Sequence, residues 1–125
     1  MKRCLNPSTL PAPGGAYSQV VVAGPLVFLA GMVPRDSERR LPGDDIRSQT
    51  RQTLENMREA LAAVGASLTD VCTVTAHLAD LARDFDGYNE VYREYFPEEP
   101  PARATVESGI GDILVEIQAV AYVGE

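Results

Sequence analysis

The chain has 125 residues, 45% of them hydrophobic, and its 18 acidic against 11 basic side chains leave a formal net charge of −7. That length and apolar content suffice for one core over residues 1–125 without help from disulfides or metal, and the acidic balance speaks against nucleic acid or anionic lipid as partner. The longest apolar stretch, Val20–Val33, is interrupted by Gly24, Pro25 and Gly31, so no membrane span or leader is predicted and a cytoplasmic protein is expected.

Gly and Pro punctuate the chain into its elements. Ser18–Ala23 and Leu26–Met32 are rich in Val, Leu and Phe and are separated by Gly24-Pro25, which predicts an antiparallel hairpin. From Asp45 onward, Ile46, Thr50, Thr53, Leu54, Met57, Leu61 and Val64 recur at steps of three and four; this predicts an amphipathic helix with Asp44 or Asp45 as N-cap and Gly65 as its stop. Val71–Leu78, with Val71, Thr73, Val74 and Thr75 β-branched, reads as a strand. Phe85, Tyr88, Val91, Tyr92, Tyr95 and Phe96 mark one face of a second helix, capped by Asp84 or Asp86 and ended by Pro97. Cys4 and Cys72 lack metal or redox spacing and are expected to be a tail thiol and a core thiol.

Two further strands, Arg103–Glu107 and Ile113–Val123, place polar groups among apolar neighbours. By alternation, Val115, Ile117, Ala119 and Ala121 share one face, while Glu116 and Gln118 share the other with Leu114, Val120 and Tyr122. Arg103, Thr105 and Glu107 likewise stand opposite Ala104 and Val106. The element order implies an α+β sheet with both helices packed on one face. The other face, which is also partly apolar, is then completed by self-association.

Read residue by residue, spacing alone favours a structural salt bridge for Arg103, to Glu107 or Glu116, and Glu116 is equally at home in a cross-sheet pair. His77 lacks any local Cys, Asp or second His and reads as an ordinary strand histidine. Ser18 and Ser108 have no sequence-local histidine and no nucleophile-elbow glycines, which gives a serine hydrolase little support.

The residues taken together resemble a known family from Pro13 to Tyr122. Gly15-Ala16-Tyr17-Ser18-Gln19 and Phe28-Leu29-Ala30-Gly31-Met32-Val33-Pro34 are similar to a GPYSQ opening followed by an FxSGQxP strand. Gln49–Asn56 and Tyr88–Tyr92 resemble its two helices, and Pro101-Ala102-Arg103 with Glu116-Ile117-Gln118-Ala119 its PAR and EIEA signatures. The family is that of the reactive intermediate deaminases (Rid, or YjgF). The resemblance implies a chorismate-mutase-like α+β fold, a mixed sheet carrying two helices, that assembles as a homotrimer with a barrel-like centre and sites between subunits. It implies hydrolysis of 2-aminoacrylate and related 2-imino acids to 2-keto acids and ammonia, with no cofactor. By the same resemblance, Arg103 holds the substrate carboxylate and Glu116 positions or activates the attacking water. Tyr17, Gly31, Asn89 and Thr105 line the pocket.

The chain departs from the family pattern at Ala16, Ala30, Met32, Thr105 and Gln118, where Pro, Ser, Gln, Cys and Glu are usual, and its loop Ser108–Ile113 is short. Three other readings therefore stay open: a pathway-specific enzyme on the same scaffold, acting on another carboxylated intermediate; a non-catalytic binding or regulatory trimer; and the ribonuclease activity once associated with the family, which the acidic balance opposes.

Overall fold

A computed structural model describes residues 1–124. The hairpin forms as β2 (Val20–Ala23) and β3 (Leu26–Leu29), turning at Gly24, whose φ of 59° suits a residue without Cβ. β3 ends three residues before the expected Met32, which instead makes an isolated antiparallel bridge to Ile117. Ahead of the hairpin, β1 (Arg3–Leu5) pairs antiparallel with β2. Sequence reasoning missed this strand, because three residues are too short for alternation to register.

The long helix α1 runs from Ile46 to Ala62. Asp45 caps it, accepting from the Ser48 backbone N–H at 2.9 Å and bonding the Ser48 hydroxyl at 2.6 Å; these bonds hold the Asp45 carboxyl below its ordinary pKa. Beyond the helix, Gly65 adopts φ 76° and Ala66 N–H returns to Leu61 O, closing the C-terminal turn. α2 (Leu81–Tyr95) begins earlier than expected, because its cap is Asp80 rather than Asp84 or Asp86. Asp80 accepts from Arg83 N–H, while Asp84 lies buried against the Arg83 guanidinium. The two helices pack side by side, fixed in register at their exposed rims by Arg47–Glu90 and Arg51–Glu94, each at 2.8 Å.

β4 (Val71–Leu78), β5 (Ala102–Glu107) and β6 (Val115–Tyr122) complete a six-stranded mixed sheet in the order β1-β2-β3-β6-β4-β5. All neighbours are antiparallel except β4 and β5, whose parallel pairing needs a crossover that α2 supplies. Val20, Val27, Leu29, Val74, Ala76, Leu78, Val115, Ile117, Ala119 and Ala121 are buried on the helix side. The opposite face bears Leu26, Phe28, Val106 and Tyr122, all exposed. A register shift between Val71 and Thr73 inserts Cys72 as an extra residue in β4. The bulge turns Cys72 outward, so it is an exposed thiol and not the core thiol expected.

Two amides on the buried stripe of α1 hold loops rather than core. Gln49 donates to Gly43 O and accepts from Leu114 N–H, both at 2.9 Å, and Asn56 donates to Val33 O at 2.8 Å and Arg35 O at 2.7 Å. Gln49→Leu keeps the volume but strands the Leu114 N–H and the Gly43 carbonyl. It is expected to lower the unfolding free energy by about 2–4 kcal/mol, since each unpaired buried group costs roughly 1–3 kcal/mol; urea denaturation of both proteins measures this.

Candidate functional site

β6 alternates between packing and presentation, and Glu116 is the half-buried carboxylate on its open face. Beside it, mutual backbone hydrogen bonds between Met32 and Ile117 (2.7 and 3.0 Å) hold the chain that leaves β3 against β6. A Cβ built on Gly31 would collide with the Glu116 carboxylate, so the missing side chain is what lets that carboxylate lie across the Gly31 backbone. Gly31 thus makes room for Glu116 first.

Glu116 and Gly31 line a cleft of about 280 Å³ whose walls also include Tyr17, Gln19, Arg35 and Leu10. Three loops close around it. Arg35 pairs with Asp112 at 2.7 Å, tying the segment after β3 to the loop before β6. Arg39 donates to Ala12 O at 2.7 Å, tying the same segment to the N-terminal stretch. The exposed Tyr17 accepts from Gly14 N–H at 3.2 Å. On the outer side, Tyr17, Gly31 and Glu116 border a shallower groove together with Ala30, Val33 and Gln118. Two of the departures from the family pattern, Ala30 and Gln118, therefore lie beside Glu116.

Arg103 sits elsewhere. In the parallel register it stands opposite Val74, and Thr105 opposite Ala76, which places both on the helix side of the edge strand β5. Its guanidinium lies 4.6 Å from the Tyr92 ring centroid, 5.3 Å from that of Tyr88 and 5.7 Å from that of Phe85, and Nη1 donates to Asn89 Oδ1 at 2.9 Å. The Thr105 and Tyr88 hydroxyls are hydrogen-bonded at 3.2 Å. Burial raises the pKa of both the Tyr88 and the Tyr92 phenol, so these rings stay neutral beside the cation. No ion pair among the described residues involves Arg103, which removes the salt bridge to Glu107 or Glu116 that spacing alone allowed. A second cleft, of about 350 Å³, opens here between Arg103, Asn89, Tyr92, Phe96 and Pro101.

The six residues singled out from sequence thus fall into two groups, Tyr17, Gly31 and Glu116 on one side, Asn89, Arg103 and Thr105 on the other. A single chain does not bring the groups together, since Arg103 faces the helices and Glu116 the open side. Sequence reasoning missed the loop ties through Arg35, Asp112, Gln49 and Asn56. For the two amides a signal existed: both stand one heptad apart on the helix face that carries Ile46, Thr50, Thr53, Leu54 and Met57.

This α+β architecture defines a class of small sheet proteins that recurs among known chains. The family described as Endoribonuclease L-PSP matches residues 8–123. A RutC family protein of Pyrococcus horikoshii is 46% identical over 125 residues, covering 98% of either chain. The human 2-iminobutanoate/2-iminopropanoate deaminase is 37% identical, covering 94% of this chain and 88% of its own. Among solved structures, Escherichia coli TdcF with bound serine superposes with a TM-score of 0.90 at 30% identity, covering 98% of this chain and 99% of that one. The chain belongs to this family, that of the Rid and RutC proteins.

Gly31→Ala is expected to force the Glu116 side chain into another rotamer while the sheet persists. A crystal structure of the variant would show the displaced carboxylate, and its melting temperature should fall by about 4 °C, the scale of a 1 kcal/mol change in a domain of this size.

Proposed function

We propose that the protein is a hydrolytic deaminase of small 2-imino and 2-enamino acids, such as 2-aminoacrylate and its imine, working as a homotrimer with its sites between subunits. The observation that carries this reading is Arg103: a half-buried guanidinium stacked on neutral aromatic rings, oriented by Asn89 and without a carboxylate partner among the described residues. Such a cation lacks its counter-ion, and a planar fork suits a substrate carboxylate held by two parallel hydrogen bonds. Deaminase relatives support the same chemistry, as does a related structure holding an amino acid.

A carboxylate held only at Arg103 would be on the opposite face of the sheet from Glu116. A second copy supplying the Tyr17, Gly31 and Glu116 side resolves this, and the exposed Leu26, Phe28, Val106 and Tyr122 furnish the apolar surface for such an assembly. In the completed site Arg103 fixes the carboxylate, and Asn89 and Thr105 shape the wall beside it. Glu116 takes a proton from water as the oxygen bonds to the iminium carbon and returns it to the nitrogen of the resulting carbinolamine; the C–N bond then breaks as the hydroxyl oxygen forms the carbonyl, and ammonia carries off the hydroxyl proton as ammonium. Tyr17 and the Gly31 backbone border the reacting carbon.

A second reading, a pathway-specific enzyme for a larger carboxylated intermediate, is favoured by Ala30 and Gln118 in the groove beside Glu116, where the loss of a hydroxyl and a carboxylate changes what can be recognised. Keto-acid release from enzymatically generated 2-aminoacrylate tests the first reading. Binding of pyruvate without any release would point to a ligand-binding trimer instead.

Arg103→Lys is expected to raise KM about 10- to 100-fold, the effect of losing a charged hydrogen bond of roughly 1.5–3 kcal/mol, with folding unchanged by thermal denaturation. Glu116→Gln should depress kcat by about 100-fold or more while pyruvate binding is retained. Full activity in either variant would refute the role assigned to that residue. Light scattering should give about three times the 13.5 kDa subunit mass; a monomer at micromolar concentration would sink the shared site.

A further inference from the structure

The second cleft, of about 350 Å³, is lined by Asn89, Tyr92 and Arg93 on one face of α2, by its C-cap Phe96, and by Pro100, Pro101 and Arg103 of the chain entering β5. Its side chains are rich in donors and poor in acceptors. Asn89 Oδ1 is taken by Arg103, which leaves the NH2 group as the free end of that amide. The Tyr92 hydroxyl is buried without a hydrogen-bond partner among the described residues, and burial keeps the phenol neutral. Among the described residues, no Asp or Glu lines the cleft.

In the reading above Arg103 seats an α-carboxylate, which leaves Arg93 with nothing to hold. The other arginines of the two helices, Arg47, Arg51, Arg58 and Arg83, each pair with a carboxylate. Arg93 has no ion pair among the described residues, although Glu90 and Glu94 flank it in sequence. Those two glutamates are turned to Arg47 and Arg51. The ladder that fixes the helices in register thus uses up the neighbouring acids and leaves Arg93 over. Exposure alone would make it a solvated charge; what singles it out is that it borders the same cleft as Arg103.

We propose that this cleft takes a doubly anionic acid: a 2-imino acid with a second, distal carboxylate, its α-carboxylate seated on Arg103 and its distal one on Arg93. The proposal rests on the deaminase reading above and names its substrate class. An acid with one carboxylate would neutralise Arg103 and leave Arg93 in water. A diacid of four or five carbons engages both cations. The imine carbon is bonded to the α-carboxylate, so it stays beside Arg103 whatever the chain beyond it carries. The field of the whole molecule opposes such a ligand, because a net charge of −7 repels a dianion more than a monoanion. A preference for the dianion therefore requires local cations.

Keto acids matched in carbon skeleton separate charge from chain length: 2-oxoglutarate against 2-oxopentanoate, and oxaloacetate against 2-oxobutanoate, each pair differing only at the distal carbon. Calorimetry on the full-length protein at low ionic strength should show at least one diacid binding about fivefold tighter than its match, a preference that fades as salt is raised. Arg93→Gln should abolish the preference without lowering the melting temperature, and Arg93→Lys, which keeps the charge, should retain part of it. Equal affinities within both pairs in the wild type, or a preference that survives Arg93→Gln, would overturn the proposal. Hydrolysis is read separately, on the imino acids that an amino-acid oxidase releases from glutamate and from alanine. If the diacid preference appears while neither imine is hydrolysed faster than in buffer, the deaminase reading fails and the diacid site stands; if imine is hydrolysed without any preference, this inference alone fails.

Discussion

β6 has antiparallel neighbours on both sides, β3 and β4, and its register against them decides which side chains are packed and which are presented. Val115, Ile117, Ala119 and Ala121 are nearly inaccessible, and every residue between them points the other way. A slip of one position would drive Glu116 and Gln118 into the core and bring the apolar set out, a loss that no loop contact could offset. The burial that stabilises the sheet is therefore also what holds Glu116 on the open side.

The helices extend that control to the loops. α1 packs against β3 and β6 and sends Gln49 and Asn56 from its buried stripe to backbone groups of Gly43, Val33, Arg35 and Leu114. Each segment around the first cleft is thus tied to a rigid element or to another loop, the remainder through Arg35–Asp112 and Arg39 to Ala12. α2 does the corresponding work for Arg103, presenting Phe85, Tyr88, Asn89 and Tyr92 to one guanidinium. The aromatic stripe is core, as its spacing suggests, and at its edge it is also the platform for a cation.

Much of this was legible in the sequence. The period-two pattern of the last strand separated Glu116 from Ile117, the three-and-four spacing located both helices, and the ordered motifs from Tyr17 to Gln118 pointed to the family. Three things were not legible, for physical reasons. The cap of α2 was placed too late, at Asp84 or Asp86, since Asp80 is chemically equivalent to them until the backbone selects one. The outward turn of Cys72 depends on a bulge, which is a property of two strands together. The meeting of His77 with Ser108, 31 residues apart, comes from the parallel pairing of β4 and β5, and a search for local partners cannot find it.

The two ends of the sheet differ in kind from its open face. At one end β1 is only three residues long, includes Arg3 and follows Lys2. At the other, β5 is preceded by Pro100 and Pro101 and carries Arg103 and Glu107. Short length, proline and charge are the features that discourage one strand from templating another. Growth of the sheet by edge-to-edge addition, the route to fibres, is thus disfavoured at both ends. The exposed Leu26, Phe28 and Tyr122 lie instead on the open face, away from both edges, so the apolar surface of the sheet and its unpaired backbone groups are kept apart.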